Sequence, residues 1–322
     1  MSKVFVTRKI PESGIELLKK AELEVEVSDF DGVLPREQLL EKVKGADAIL
    51  SLLTDKMDAE LMEAAGSQLK VIANYAVGYD NINLADAAAR NIIVTNTPDV
   101  LTESVAEHAI ALIFSLAHRI VESDQYMRDG EYTGWAPMLF LGNDLVGKTL
   151  GLVGLGRIGA AVARRMHDGF EMKILYYDAK RNEELEKKYN LQFVDLPTLL
   201  KESDFISVHV PLLPTTKHLI GPDQLAMMKK TAYLINTSRG PIIDENALVA
   251  ALQSGVIRGA ALDVYEQEPK MAPGLAQLQN TILTPHTASA TEETRNAMSE
   301  LAAKNIIAVL AGEAPLTQVL PK

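Results

Sequence analysis

The stretch Thr149-Leu-Gly-Leu-Val-Gly-Leu-Gly-Arg-Ile-Gly159, completed by Asp178, decides how the chain is read. Leu150 to Val153 form a short apolar run of the kind buried in a parallel sheet. Gly154-Leu-Gly156-Arg157-Ile158-Gly159 then turns the chain into a helical pattern from Ala160 to Met166. A second strand, Met172 to Tyr177, ends on Asp178. Each part suits a dinucleotide site. Gly154 permits the tight turn, Gly156 lets a pyrophosphate approach the backbone, and Gly159 lets helix and strand pack closely. The helix start offers unsatisfied N–H groups and partial positive charge to that pyrophosphate. Asp178 is placed to accept hydrogen bonds from the adenosine ribose and to repel a 2′-phosphate, which favours NAD over NADP.

Working outward, the 322 residues allow two domains, and an apolar content of 47% is that of a globular protein. A net charge of −11 argues against nucleic acid as partner. Any site for an anion must therefore be built from local cations. The chain has no cysteine, which excludes disulfides, thiol nucleophiles and thiolate metal ligands and points to a reducing cytoplasm. The opening Met1-Ser-Lys-Val-Phe-Val shows no signal-peptide pattern, and the apolar run Ala109 to Phe114 is too short for a bilayer, so no membrane role is expected. No pair of histidines or carboxylates has metal-ligand spacing, so no metal is expected.

Residues 1–98 alternate strand and helix, with Asn83 as a cap and Pro35 in a first turn. The turn after the first strand, Thr7-Arg-Lys-Ile-Pro-Glu-Ser-Gly14, lacks the glycine triplet. This half is expected to be doubly wound without binding a dinucleotide. Thr102 to Ala117 predicts a long helix that is apolar almost all round, expected to link two domains and to pack on a second subunit. The second alternating unit runs from 148 to about 285, and an amphipathic helix over Glu292 to Leu310 is expected to return to the first domain. One motif misleads. Gly142-Asn-Asp-Leu-Val-Gly147-Lys148-Thr149 matches the P-loop letter for letter, but a strand follows it where a helix is required.

Ligands of open parallel sheets bind beyond the C-terminal strand ends. Three such ends present Asn236-Thr237-Ser-Arg239-Gly240, Asp263-Val-Tyr-Glu-Gln-Glu268-Pro269 and Thr284-Pro-His286-Thr-Ala288. Arg239 suits a bidentate carboxylate, Glu268 suits holding an imidazole in one tautomer, and His286 suits proton exchange near neutral pH. Of the six histidines, His209 also stands at a strand end and rivals His286. His108, His118, His167 and His218 read as structural.

These motifs together, with Val77-Gly-Tyr-Asp80, resemble the D-2-hydroxyacid dehydrogenases over essentially the whole chain, most of all the glyoxylate/hydroxypyruvate reductases. Asn74-Tyr-Ala-Val-Gly-Tyr-Asp-Asn-Ile82, Thr95-Asn-Thr-Pro-Asp-Val-Leu-Thr102 and Trp135 with Pro137 carry the closer likeness. The resemblance implies two doubly wound parallel-sheet, Rossmann-like domains with the active site in a cleft between them. A flavodoxin-like substrate domain would comprise 1–98 and 287–322, and a cofactor domain 99–286, with a dimerisation segment at 99–147. Arg239 would bind the substrate carboxylate and carbonyl oxygen, and His286 would donate a proton, with Glu268 raising its pKa. Leu53, Trp135 and the N–H groups of Val77 and Gly78 would complete the substrate site. Gly154 to Gly159 (with Arg157 and Ile158), Asp178, Thr237, Asp263, His286 and Ala288 would hold the cofactor. Trp135 would reach the active site of the other subunit of a homodimer. The implied reaction is reduction of glyoxylate and hydroxypyruvate by NADH, with NADPH admitted by Lys180 and Arg181. Alternatives are reduction of 2-ketogluconate or another 2-keto acid, and more remotely an NAD-sensing co-repressor.

Overall fold

The computed structural model describes residues 1–320. The chain divides into two compact units, Met1–Leu101 with Ala290–Lys322, and Thr102–Ser289. In the first, short apolar segments become strands: β1 (Lys3–Val6), β2 (Glu24–Val27), β3 (Ala48–Ser51), β4 (Val71–Asn74) and β5 (Ile93–Thr95). They pair in parallel in the order β5-β4-β3-β1-β2. The intervening helices are α1 (Glu12–Lys20), α2 (Arg36–Lys42), α3 (Ala59–Ala65) and α4 (Leu84–Ala89). Two of them start where the chain supplies an acceptor. Asp58 takes the N–H of Leu61, and Asn83 takes those of Ala85 and Asp86.

The second unit begins with α5 (Thr102–Ala117) and α6 (Ile120–Arg128). The apolarity of α5 is accounted for largely within its own unit. Ala109, Leu112, Ile113 and Leu116 are buried in one core with Val162, Met166 and the sheet residues Leu150, Leu152 and Ile174. Among the described residues no single helix is long and apolar enough to cross a membrane, and α5 and α6 are bent by 65° at their junction.

Then follow β6 (Thr149–Val153), α7 (Arg157–Phe170), β7 (Lys173–Tyr177), α8 (Glu183–Tyr189), β8 (Gln192–Phe193), α9 (Leu196–Glu202) and β9 (Phe205–Val208). The unit closes with α10 (Pro222–Met227), β10 (Tyr233–Asn236), α11 (Glu245–Gln253), β11 (Gly259–Leu262) and β12 (Thr281–Leu283). All pair in parallel, in the order β12-β11-β10-β9-β6-β7-β8. The order reverses beside β6, so the crevice at its C-terminal end is where this architecture receives ligands. The P-loop look-alike lies in the loop entering β6, and a strand rather than a helix follows it.

The chain then returns to the first unit. α12 (Glu292–Leu310) packs on α1, β3 and β4, and β13 (Gln318–Val319) pairs with β5. Two features depart from expectation. β13 is antiparallel, so the first sheet is not wholly parallel. And α12 is less simply amphipathic than its pattern suggests, because it buries polar Thr294, Ser299 and Asn305 beside Met298 and Ile306. Asn305 is buried for a reason: its side-chain oxygen accepts the N–H groups of Leu316 and Thr317, which aims the tail into β13.

Candidate active site

The turn after β6 has the form its glycines demand. Gly154 has φ +104°, a region that residues with a Cβ avoid. A Cβ on Gly159 would lie 2.2 Å from the Gly154 carbonyl oxygen, so helix and strand could not approach. Gly156 differs: a Cβ there would meet nothing within 4 Å, leaving open space over the start of α7. No side chain caps that helix start. Asp178 stands one strand over, its Oδ2 accepting the Leu155 N–H at 2.7 Å and its Oδ1 that of Lys180 at 3.3 Å. The acid and the glycine turn are thus tied together, with Arg157 exposed and Ile158 partly buried on the core side.

At the end of β10, Asn236 folds the next turn by donating to the Arg239 carbonyl at 2.9 Å and accepting the Ser238 N–H at 3.0 Å. Glycine is obligatory after Arg239. A Cβ on Gly240 would sit 1.9 Å from the backbone carbon of Tyr265, so the Arg239 turn lies directly against the loop carrying Glu268. Thr237 on that turn is buried, and its hydroxyl lacks a hydrogen-bond partner. Such an orphan is costly unless something else completes it. The open space over Gly156, the uncapped helix start and the Thr237 hydroxyl together fit a nicotinamide dinucleotide.

The strand ends of β11 and β12 meet through Asp263, which is fully buried. Its carboxylate accepts the Thr284 hydroxyl at 2.6 Å and the N–H groups of Thr287 and Ala288, each at 2.8 Å. The Nε2 of His108 lies 3.5 Å from it. Asp263 and Ala288 therefore have a first task in shaping the segment that carries His286. That residue is held at φ +54°, an unusual conformation for a side-chain-bearing residue and one often found at functional sites. Its Nδ1 lies 2.9 Å from Glu268 Oε2, and Glu268 Oε1 accepts the Tyr265 N–H at 3.0 Å. A carboxylate on Nδ1 selects the tautomer with a proton there and leaves Nε2 for other chemistry. Burial alone would raise the Glu268 carboxyl. The hydrogen bond and charge of His286, the Tyr265 N–H and the charge of Arg239 outweigh it and hold the carboxyl below its usual range. The structure thus gathers Arg239, Glu268 and His286 in one unit.

His209 differs from His286. It follows β9, bonds Ser207 Oγ at 2.9 Å, and its removal from solvent pushes it down to about 4, so it is neutral at pH 7. Among the other expected site residues, Trp135 is 82% exposed. Leu53, Val77 and Gly78 belong to the first unit, on loops tied together by Asn81 and Asn74. The reading of the sequence missed two supports of the site. His108 reads as an ordinary helical histidine, since its partner lies 155 positions away. Glu245 holds the Glu268 loop through the N–H groups of Glu266 and Ala272, both at 2.6 Å; it reads as a first-turn helix acid.

Residues 110–288 match the family described as D-isomer specific 2-hydroxyacid dehydrogenase, NAD binding domain. The chain is 53% identical over 97% of its length to the glyoxylate reductase of Thermococcus litoralis, covering 95% of that protein. It is 50% identical over 98% of its length to that of Pyrococcus horikoshii, again covering 95% of it. Among solved structures it is similar to the NADPH-dependent glyoxylate/hydroxypyruvate reductase of Sinorhizobium meliloti in complex with NADP and malonate. The TM-score there is 0.86 at 35% identity, over 99% of this chain and 96% of that one. Glycine turn, strand-end triad and whole-length similarity agree: the chain belongs to the D-isomer specific 2-hydroxyacid dehydrogenase family, whose members are NAD(P)-dependent oxidoreductases.

Proposed function

We propose that the chain reduces glyoxylate to glycolate and hydroxypyruvate to D-glycerate, using NADH in preference to NADPH. The observation that carries this reading is the His286–Glu268 pair at 2.9 Å, within reach of the Arg239 charge. A bound nicotinamide supplies the hydride to the keto carbon. Arg239 grips the substrate carboxylate in two parallel hydrogen bonds and polarises the carbonyl. The N–H groups of Val77 and Gly78 take the remaining carboxylate oxygen, and Leu53 and Trp135 limit the size of the acid. As the carbonyl π bond breaks, its oxygen takes the proton from His286 Nε2. Glu268 steadies the imidazolium before the transfer and is left beside a neutral ring after it. Thr237, Asp263, Ala288 and the glycine turn would hold the cofactor, with Asp178 at the adenosine ribose. The preference for NADH follows from the negative charge of Asp178, which opposes a 2′-phosphate.

The working form is a homodimer joined through residues 99–147. Support comes from exposed apolar side chains concentrated there, including Ile120, Val121, Met127, Trp135 and Met138. The cysteine-free composition supports a cytoplasmic setting. The test is a panel of initial rates with glyoxylate, hydroxypyruvate, pyruvate and 2-ketogluconate, each with NADH and NADPH, alongside molar mass by light scattering. The highest kcat/KM falls on glyoxylate or hydroxypyruvate with NADH, and the mass is that of two chains. A preference for 2-ketogluconate or pyruvate overturns the substrate assignment.

A further inference from the structure

We infer that Glu186 is a second determinant of cofactor choice, acting by holding Arg181 away from the place where a 2′-phosphate would bind. This rests on the proposed role of Asp178 at the adenosine ribose. Arg181 stands three residues beyond Asp178, in the loop joining β7 to α8, and is the nearest guanidinium along the chain. A planar fork there is the group expected to receive a 2′-phosphate. In this chain the fork is already occupied. Arg181 donates to Glu186 Oε1 and Oε2 through Nε, at 2.9 and 3.1 Å, and to Oε2 through Nη2 at 2.7 Å.

The acid is itself fixed. Glu186 Oε1 accepts the Tyr176 hydroxyl at 2.6 Å, and that hydroxyl accepts the Asn182 N–H at 2.8 Å, so strand, loop and α8 are joined through one oxygen. The Glu186 side chain keeps only 11% of its accessible surface, whereas Arg181 keeps 57%. The anchored partner is therefore the carboxylate, and the arginine is the more exposed one held to it. Its guanidinium and the Tyr176 hydroxyl draw the Glu186 carboxyl down to about 2, so the hold persists through the working pH range. A 2′-phosphate would have to displace a bidentate carboxylate to gain Arg181, besides meeting the charge of Asp178. The two acids thus act in series: Asp178 repels the phosphate, and Glu186 withholds the guanidinium, leaving only the point charge of Lys180 on this loop to compensate it.

The test compares NADPH with NADH in Kd, from titrations of each nucleotide without keto acid, and in kcat/KM. Glu186→Gln keeps an acceptor for Tyr176 but removes the charge that holds Arg181. It is expected to raise the NADPH/NADH preference in both readouts by about twofold to fivefold, the scale of losing one partly exposed ion pair, with NADH kinetics within about twofold. Adding Arg181→Ala should return the ratio to that of the parent, an outcome a merely structural role for Glu186 would not produce. An unmoved ratio in Glu186→Gln, or a gain that survives Arg181→Ala, overturns the inference. Should Glu186→Gln fold poorly, Tyr176→Phe loosens the same carboxylate and should move the ratio the same way; no movement there overturns it equally. The ribose reading is judged separately. Asp178→Asn lowers kcat/KM for NADH if Asp178 holds the ribose, whatever Glu186 does.

Discussion

The two units wind their sheets in the same manner and treat the reversal point in opposite ways. In the second unit the strand at the reversal, β6, ends on glycines, with open space at Gly156. In the first unit β1 runs into Thr7, and the equivalent position holds the chain's own carboxylate, Asp55. Thr7 Oγ1 donates to Asp55 Oδ2 at 2.5 Å, and the Leu52 N–H donates to the same oxygen at 2.8 Å. A buried carboxyl there takes two of the local donors and would repel a phosphate. Shared architecture sets where a ligand could bind; the residues at the strand ends decide whether one does.

The largest effect that could break this contrast concerns His286. If the chemistry belongs to the strand ends of the second unit, His286→Ala lowers kcat by about 10² to 10⁴ with glyoxylate and NADH, the usual weight of a general acid. Turnover close to that of the parent would dissociate the His286–Glu268 pair from the reaction. His209→Gln should retain far more activity than His286→Ala, because a ring titrating at about 4 is not the proton donor at neutral pH.

His209 gives the next effect, on stability. Its value falls from 6.5 unfolded to about 4 folded, so between these the unfolded chain binds the extra proton. Its contribution is complete above pH 6.5 and is lost as the pH falls toward 4, by about 3 kcal/mol. Thermal melts across that window should show a shallower loss for His209→Gln than for the parent. Parallel curves would mean that the ring is not desolvated.

Arg239→Lys comes third. An ammonium keeps the charge but not the fork, so KM for the keto acid should rise by about tenfold or more, with a smaller change in kcat. A change confined to the cofactor KM would move Arg239 out of the substrate site.

What could be read beforehand follows from how local each cause is. The buried strands announce themselves as apolar runs. Thr102–Ala117 and Glu292–Leu310 are long enough for their patterns to speak without neighbours. By contrast, α6 buries no residue, and α8, with Glu-Glu-Leu-Glu-Lys-Lys-Tyr, has almost no apolar face. α8 depends on the Asn182 cap and on Tyr176 meeting Glu186, contacts that a periodicity does not carry. The two-residue β13 exists because Asn305 receives the tail. In the candidate site the residue types at strand ends were legible, but the need for glycine beside Arg239 was not, because it comes from the close approach of Tyr265. Nor were the His108–Asp263 contact and the Thr7–Asp55 hydrogen bond, since each joins residues distant along the chain.

Asp55 supplies the smallest effect and the sharpest sign. Burial raises its carboxyl against the opposing pull of the Thr7 hydroxyl, the Leu52 N–H and the Arg8 charge. A group raised on folding contributes its stability below its unfolded value, here 3.8, and loses it as the pH climbs through the folded value. That is the reverse of His209. Asp55→Asn keeps an oxygen for Thr7 and Leu52 and imitates the protonated acid at every pH. Relative to the parent, the variant should therefore gain in Tm as the pH climbs above 3.8. A difference that does not change with pH would show that Asp55 titrates as in the unfolded chain. The crevice of the first unit would then be wetter, and more like that of the second, than its hydrogen bonds imply.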